Sequence, residues 1–355
     1  MTQKLDETNF EEKNNFKTLA RILFLTLVFC LSLPNICKAE EIKKYTASDF
    51  VMDTIISEVV YTTGEDPTQE LAEHLRKIEE TYLSWNMESS EIFQINACSG
   101  EEISISELMQ EYLEAILQLA EDSKGAVDPT MGDIIRCWDI DGEHPQIPKK
   151  QELEALLKNS GWERIHLSEN KLWLEEGTTL DLGAIGKGIG CDEIKRLLDE
   201  REDITGMILN LGGSSVYAYG EKPESSVWKV AVTDPRDTEG EYLGVIALNG
   251  SEFLSTSGDY EKYFMEDGIR YHHILDPENG YPVRNGLTAV KVVGKSGLET
   301  DALSTACFVL GIERSKELLE KYQVDALFVD EEQKIYLTEG MKERFELLKE
   351  NYSIS

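Results

Sequence analysis

The sequence predicts an α+β fold: a single domain, residues 45–351, that follows an N-terminal signal segment, residues 1–39. Apolar residues make up 41% and charged residues 29% of the 355 residues, which is typical of a folded globular protein. Helix and strand patterns follow one another without the regular alternation of a parallel βαβ sheet. No repeat or low-complexity linker interrupts the domain, so we expect it to fold as one unit.

Residues 1–39 have the pattern of a secretory signal. Lys17 and Arg21 precede twelve uncharged, mostly apolar residues at 22–33, and Ala39 offers a small residue for cleavage. Twelve residues are too few to span a bilayer as a helix, which needs about 20, whereas a basic flank before a short apolar core is typical of a signal peptide. We therefore expect an exported protein that acts at the extracytoplasmic face of the cell membrane. A membrane tether, formed by an uncleaved or lipid-linked segment, is the alternative.

Apolar residues at helical spacing predict seven helices in the domain. Leu71, Leu75 and Ile78 form one stripe of the first helix, and a Ser104-x-x-Glu107 capping box predicts the start of the second. The predicted helices cover residues 68–85, the segment after 104–107, 149–159, 186–200, 301–310, 315–321 and 340–351.

Alternating or continuous apolar runs predict the strands. Four of these runs form two hairpins, 164–167 with 171–175 and 326–329 with 335–338. The other predicted strands cover residues 207–211, 228–232, 242–248 and 288–293.

Charge and cysteine content exclude several classes of function. Lys and Arg number 35 against 68 Asp and Glu, a formal net charge of −33, and no basic stripe offsets it. Such a chain repels a phosphate backbone, so we expect no nucleic-acid partner. The four cysteines beyond the signal segment are scattered and form no CxxC pair, which argues against structural zinc and thioredoxin-like chemistry. We expect them to be buried free thiols.

Residues 181–188 (DLGAIGKG) are the first candidate for chemistry. They open a predicted helix, and their three glycines let the backbone approach a ligand. Free amides at a helix N-terminus favour phosphate, Lys187 is suited to pair with it, and Asp181 is suited to a ribose hydroxyl. A tight strand-to-helix turn is the alternative. The NLGG segment at 210–213 follows a predicted strand, and its paired glycines also suggest a close backbone approach, with a bulge or turn as the alternative. GAVDPTMG at 125–132 predicts only a fixed turn.

Two further segments predict a polar pocket and a metal site. Residues 255–260 (STSGDY) and 271–282 bring hydroxyl groups, a histidine pair and an aspartate close together, which suits a histidine acid or base. A structural histidine is the alternative. Asp301 and Thr305 are spaced i, i+4 and share a helix face, and their oxygen atoms suit Mg²⁺. For Asp301, helix capping is the alternative.

Taken in order, these motifs resemble those of the FAD:protein FMN transferase (ApbE) family. That family carries D-L-G-x-I-x-K-G, N-L-G-G, T-S-G-D-Y, H-I-x-D-P-x-x-G-x-P and A-D-A-L-x-T-A segments. This chain has DLGAIGKG from Asp181, NLGG from Asn210, STSGDY from Ser255, HILDPENGYP from His273 and TDALSTA from Thr300. The resemblance covers residues 52–311, most of the predicted domain.

The resemblance implies a fold, an activity and a partner. Members of the family have a distinctive α+β domain, cleave FAD at its pyrophosphate with Mg²⁺, release AMP, and attach the FMN moiety to a threonine of a partner protein as a phosphoester. The implied partner is an exported acceptor protein, a subunit of a flavin-dependent redox system. A Mg²⁺-dependent FAD pyrophosphatase and an extracytoplasmic FAD-binding protein are the alternatives.

Matching the motifs position by position implies the site residues. His273 is the implied base for the acceptor threonine, and the implied Mg²⁺ ligands are Asp301, Thr305 and a backbone oxygen of Ala184. The implied FAD contacts are Met52, Ala126, Val127, Asp128, Asp181, Lys187 and Ile274. The chain departs from the family at one contact, where Asn86 stands in place of an aromatic residue. The adjacent Trp85 is the candidate to supply the ring.

Overall fold

A nine-stranded sheet lies at the centre of the fold. The computed structural model describes residues 41–237 and 240–355, of which Ile42–Ser355 form one unit. The strands are β1 (Lys43–Val51), β2 (Thr54–Thr62), β3 (Glu102–Ser104), β4 (Ile165–Ser168), β5 (Lys171–Leu174), β6 (Ile204–Leu211), β7 (Ser215–Gly220), β8 (Val227–Thr233), β9 (Tyr242–Asn249), β10 (Glu252–Gly258), β11 (Tyr263–Glu266), β12 (Ile269–His272), β13 (Leu287–Gly294), β14 (Asp325–Asp330), β15 (Lys334–Leu337), β16 (Phe345–Leu347) and β17 (Ser353–Ile354).

Nine helices flank the sheets of the described residues. They are α1 (Thr68–Ile78), α2 (Glu91–Ala97), α3 (Glu107–Asp122), α4 (Gly132–Trp138), α5 (Lys150–Leu156), α6 (Gly186–Asp199), α7 (Gly297–Leu310), α8 (Ile312–Tyr322) and α9 (Glu339–Arg344). A π-helical turn, Glu79–Leu83, extends α1. This mixture of helices with largely antiparallel strands confirms the predicted α+β class.

The central sheet has the order β1-β2-β6-β7-β10-β13-β14-β15-β17, and only the last pair is parallel. Smaller sheets have the orders β16-β9-β8, β3-β5-β4 and β11-β12. Every residue of β10 and β13 is buried. Val290 and Val292 pack in the core that contains α7, whereas Ala289 and Val293 pack in the core that contains β8 and β9. The middle of the sheet is therefore covered on both faces.

Several predicted elements are confirmed. The two hairpins are present as β4 with β5 and β14 with β15, and α6 begins at the predicted Gly186. The four cysteines are free thiols, although only Cys191 and Cys307 are fully buried. Among the described residues, no helix has the length and apolar character needed to cross a bilayer. The predicted signal at 1–39 lies outside the described residues and stays a prediction.

The final predicted helix, residues 340–351, is wrong. Only the six-residue α9 forms, and the chain then continues as β16, where Phe345 pairs with Ile246 of β9. Phe345 is buried in the core beside β8 and β9. Pairing with an open strand edge, together with this burial, outweighs the helical spacing of the apolar residues.

The predicted capping box is also wrong, by two residues. Ser104 pairs with Lys171 in the β3-β5 sheet, so it is not available to cap a helix. The N-cap of α3 is Ser106, whose hydroxyl accepts a hydrogen bond from the Met109 amide at 3.0 Å. The first two strands were not predicted, although alternate residues of β2 are buried, such as Ile56 and Val60.

Candidate active site

Helices α6 and α7 meet at two glycines, and this contact positions the candidate site. A Cβ atom on Gly188 would overlap the carbonyl oxygen of Gly297, and one on Gly297 would overlap the carbonyl oxygen of Gly188. Only residues without a side chain allow such an approach. The contact brings the DLGAIGKG segment against the helix that carries Asp301 and Thr305. Gly188 therefore serves helix packing, a role that the glycine pattern did not suggest.

Asp301 lies in this contact as a buried carboxylate, 6% exposed. Its Oδ2 accepts a hydrogen bond from the Gly188 amide at 2.7 Å, and its Oδ1 accepts one from the Ser215 hydroxyl at 2.9 Å. Burial raises the pKa of Asp301 to about 6, although these donors and the charge of Lys187 oppose the rise. The N-cap of α7 is Ser296, which excludes helix capping as the role of Asp301.

A network of hydroxyl groups joins α7 to strand β10. The Oγ of Ser257 lies 3.2 Å from the Oγ1 of Thr305, and the Ser255 hydroxyl donates to that of Thr300 at 3.0 Å. Ser255 and Ser257 alternate along β10, so both face α7. Thr305 is therefore held one helical turn beyond Asp301. Sequence reasoning placed both serines in a polar pocket with the histidine pair and did not connect them with Thr305, although their alternation in STSGDY was the available signal.

The oxygen atoms that Asp301, Thr305 and Ala184 offer are of the kind that binds Mg²⁺. The Gly188 amide bonds Asp301, so the carbonyl of Ala184 lacks the partner that this amide would provide in a continuous helix. That carbonyl, the Asp301 carboxylate and the Thr305 hydroxyl are hard oxygen ligands of the kind Mg²⁺ prefers. The described residues hold no cluster of three or more His, Cys, Asp or Glu side chains suited to a metal. The remaining ligands would therefore be phosphate oxygens or water.

Lys187 links the start of α6 to the turn between β6 and β7. Its Nζ donates a hydrogen bond to the Ser214 hydroxyl at 2.8 Å, just after the NLGG segment. Asp181 precedes the helix, and its Oδ1 accepts a hydrogen bond from the Gly183 amide at 2.8 Å. A half-buried cation therefore neighbours the amino end of a 14-residue helix, an arrangement that favours phosphate.

The predicted apolar contacts lie in one core with the site helices. Ala126, Val127 and Ile274 are 6%, 2% and 5% exposed, and they share this core with Ile185 and Ala302. The structure thus brings residues from two distant segments into the same core as α6 and α7. Their burial leaves only small surfaces for a ligand.

The GAVDPTMG segment forms the predicted turn, and Asp128 holds it. Its Oδ1 accepts hydrogen bonds from the amide and the hydroxyl of Thr130 at 2.8 and 2.6 Å. Its Oδ2 accepts one from the Trp162 amide at 3.1 Å. Burial raises the pKa of Asp128. The next residue, Pro129, accepts a hydrogen bond from the Asp181 amide at 2.8 Å, which ties this turn to the DLGAIGKG segment.

Met52 lies in the tight turn between β1 and β2 and packs on α6. Its φ is 56°, in the left-handed region that is uncommon for residues with a side chain. Its amide donates a hydrogen bond to Glu79 Oε2 at 2.9 Å. Its sulfur would lie 3.0 Å from a Cβ atom on Gly190, so the side chain covers the second turn of α6.

An exposed tryptophan stands beside the departure from the family pattern. Asn86 Oδ1 accepts a hydrogen bond from the Ser84 hydroxyl at 2.6 Å. Trp85 is 45% exposed, and the guanidinium of Arg136 lies 5.2 Å from its ring centroid. Trp85 thus offers an accessible aromatic surface next to the residue that lacks one.

His273 directly follows the β11-β12 hairpin and is held at its base. Its amide donates to the Lys262 carbonyl at 3.1 Å, and its Nδ1 lies 3.2 Å from the same oxygen. A carbonyl only accepts, so Nδ1 carries the hydrogen and Nε2 keeps its lone pair. Burial, with the charge of Lys262, lowers the pKa of His273 to about 4. His272 is different, because its Nε2 donates to the Val283 carbonyl at 2.9 Å inside the protein.

A short segment joins strand β10 to the hairpin that carries His273. β10 ends at Gly258 and β11 begins at Tyr263, and Ser257 of β10 lies 3.2 Å from Thr305. Lys262, the last residue of the segment, holds His273 through its carbonyl. Residues 259–262 therefore link the strand beside Thr305 to the residue that holds His273.

The fold is similar to that of solved flavin transferases. The crystal structure of the ApbE protein from Thermotoga maritima superposes with a TM-score of 0.78 at 30% identity, covering 85% of this chain and 99% of that one. The flavinyl transferase ApbE of Pseudomonas stutzeri, in its apo form, gives 0.73 at 28% identity, covering 86% and 97%.

The sequence comparisons agree with the structural ones. The FAD:protein FMN transferase of Treponema pallidum is 30% identical over 331 residues, which cover 86% of this chain and 90% of that protein. The FAD:protein FMN transferase of Klebsiella pneumoniae is 28% identical, covering 87% and 96%. The profile of the ApbE family matches residues 52–328, a range that contains every implied site residue. The chain therefore belongs to the ApbE family and is an enzyme of the FAD:protein FMN transferase type.

Proposed function

We propose that this enzyme transfers the FMN moiety of FAD to a threonine of a partner protein, with Mg²⁺, and releases AMP. The observation that carries the proposal is a single buried carboxylate, Asp301, which accepts hydrogen bonds from the Gly188 amide and the Ser215 hydroxyl and is influenced by the charge of Lys187. One carboxylate makes a partial Mg²⁺ site that substrate phosphates would complete, as in other enzymes of phosphoryl transfer. A protein that only bound FAD would not need this arrangement.

Each residue of the site has a separate role in this reaction. Lys187 and the amino end of α6 bind and orient the pyrophosphate. Asp301, Thr305 and the backbone carbonyl of Ala184 would hold Mg²⁺, which would supply charge neutralisation there. The threonine oxygen forms a bond to the FMN phosphorus, the bond from that phosphorus to the AMP oxygen breaks, and AMP leaves with the electron pair. The threonine proton passes to Nε2 of His273, which its Nδ1 hydrogen bond keeps in the required tautomer.

The acceptor we propose is an exported subunit of a flavin-dependent redox system. The signal pattern at 1–39 supports this, because enzyme and acceptor would then meet outside the cytoplasmic membrane. The test incubates the full chain with FAD and Mg²⁺, with and without such a recombinant subunit carrying its target threonine. We expect AMP release and flavin fluorescence that survives denaturation of the acceptor and disappears with EDTA. Free FMN without a labelled acceptor would indicate the pyrophosphatase, and intact FAD would contradict any catalysis.

The pH dependence of transfer provides a second prediction. The pKa of His273 lies near 4 because burial, the charge of Lys262 and the neighbouring His272 lower it, while Asp141 opposes them. The imidazole is therefore neutral and able to accept a proton at every pH well above 4. The measurement is kcat/KM for flavin attachment to the acceptor as a function of pH. We expect kcat/KM to fall on the acid side, where His273 becomes protonated, near pH 4 and not near the ordinary histidine value of 6.5.

Lys262→Gln is the matched control for this pH profile. It removes the positive charge that lowers the pKa of His273 but keeps the backbone carbonyl that holds the ring, and it leaves Asp141 without the ion pair that the two side chains form. Both effects should move the acid limb toward higher pH. A wild-type limb at 6.5, or no movement in this variant, would contradict the role of His273 as the base.

A further inference from the structure

Asp259 connects the end of β10 to the hairpin that carries His273. It is 6% exposed and lies two residues beyond Ser257, the neighbour of Thr305. Its carboxylate accepts two hydrogen bonds from Arg236 at 2.8 Å each and one from Arg270 Nη1 at 3.2 Å. Charge-assisted, bidentate pairs of this kind are among the strongest polar contacts in proteins.

Arg270 is the residue of the hairpin that pairs with Asp259. It lies on β12, three residues before His273, and its guanidinium stacks over the Tyr263 ring of β11 at 4.3 Å. The hairpin is otherwise exposed along much of its length, including Met265 at 55%. One apolar face packs on α4 through aromatic rings, and the ion pair with Asp259 holds the hairpin from its other face.

We propose that Asp259 is a positioning residue, which acts through Arg270 to hold His273 at a fixed distance from the Asp301 and Thr305 pair. This inference rests on the proposed function. The end of β10 then positions two groups of the site. Ser257 contacts Thr305 of the proposed metal site, and the adjoining Asp259 holds the hairpin that carries the proposed base. A misplacement of about 1 Å between reacting groups lowers a reaction rate about 100-fold. A loosened hairpin would therefore lower the rate of flavin transfer.

The first test follows the His273 ring itself and needs no acceptor. The full chain is labelled with ¹³C-histidine, its signals are titrated by NMR, and His273→Gln assigns the signal. In Asp259→Asn and in Arg270→Gln, we expect the titration midpoint of His273, which reports its pKa, to rise from about 4 toward the ordinary value of 6.5. The reason is that a looser hairpin admits water, which stabilises the protonated ring. The double variant should show no further rise, since both changes break the same link.

Arg236→Gln is the matched control, because it removes the other arginine from Asp259 but leaves the bond to Arg270. We expect it to lower the free energy of unfolding while the His273 midpoint stays at the wild-type value. If Asp259→Asn fails to fold, Arg270→Gln alone still tests the link. Unchanged midpoints in both variants, or additive shifts in the double variant, would overturn the inference.

The second test measures kinetics with the recombinant redox subunit as acceptor. In Asp259→Asn and Arg270→Gln, we expect flavin attachment to fall about 10-fold or more while the KM for FAD stays within about twofold. An equal loss of FAD binding would mean a merely structural role and overturn the inference. If the wild type attaches no flavin, the proposed function fails, whereas the NMR titration still decides whether Asp259 positions His273.

Discussion

Asp301→Asn is expected to reduce AMP release from FAD at least about 100-fold at saturating Mg²⁺, the largest effect of any single side chain in the site. The change keeps the shape of the residue and an oxygen for the Gly188 amide, but it removes the only carboxylate of the proposed metal site. Hydrogen-bond partners of metal ligands alone are worth 10–100-fold, so loss of the charged ligand should cost at least the upper figure. AMP is measured by chromatography over a series of Mg²⁺ concentrations.

Two controls separate this loss from a loss of folding. Ser215→Ala removes one hydrogen bond to the same carboxylate, and we expect a smaller loss, about 10-fold, that additional Mg²⁺ partly restores. Without metal, Asp301→Asn should unfold at the same temperature as the wild type or a higher one, because burial opposes the charge of Asp301. Normal Mg²⁺-dependent AMP release in Asp301→Asn would contradict the assignment of Asp301 as a metal ligand.

His273→Gln gives the complementary pattern. It removes the proposed base but none of the groups around the pyrophosphate, so flavin attachment to the acceptor should fall much more than FAD binding. Asp301→Asn and His273→Gln together therefore distinguish cleavage of FAD from capture by threonine.

The parts of the fold that the sequence predicted are those decided locally. The start of α6 at Gly186 and the two hairpins depend on residues within a few positions of each other. The prediction of the final helix was wrong because its apolar spacing is a local pattern. Phe345 instead forms a strand by pairing with β9, about a hundred residues earlier in the sequence. Ser104 failed as a cap for the same reason, since its partner is a strand distant in sequence.

The candidate site shows the same division. The motifs marked the residues with chemical groups, such as Asp301, Thr305 and His273, but not the contacts that orient them. Ser215 and Ser257 contact the proposed metal ligands from strands 86 and 48 residues away. Partners of this kind arise from strand order in a sheet, which a pattern of neighbouring residues does not encode.

Gly188→Ala is expected to reduce both stability and AMP release, although alanine is the better helix former by about 1 kcal/mol. The new Cβ would overlap the Gly297 carbonyl and lie 2.8 Å from the Cβ of Asp301, and backbone cannot move aside as a flexible side chain can. Overpacking of this kind typically costs 1–3 kcal/mol, so the clash outweighs the gain in helix propensity. Moving α6 from α7 would also withdraw the Gly188 amide from Asp301.

Gly186→Ala, two residues earlier in the same helix, is the matched control for stability. There the nearest atoms to a new Cβ are methyl groups of Leu83 and Met52 at 3.8 and 3.9 Å, which is ordinary contact. We expect urea denaturation to give a free energy of unfolding that is unchanged or slightly raised for Gly186→Ala, and lowered by about 2 kcal/mol for Gly188→Ala. Equal stability of the two variants would mean that the α6-α7 contact does not require glycine.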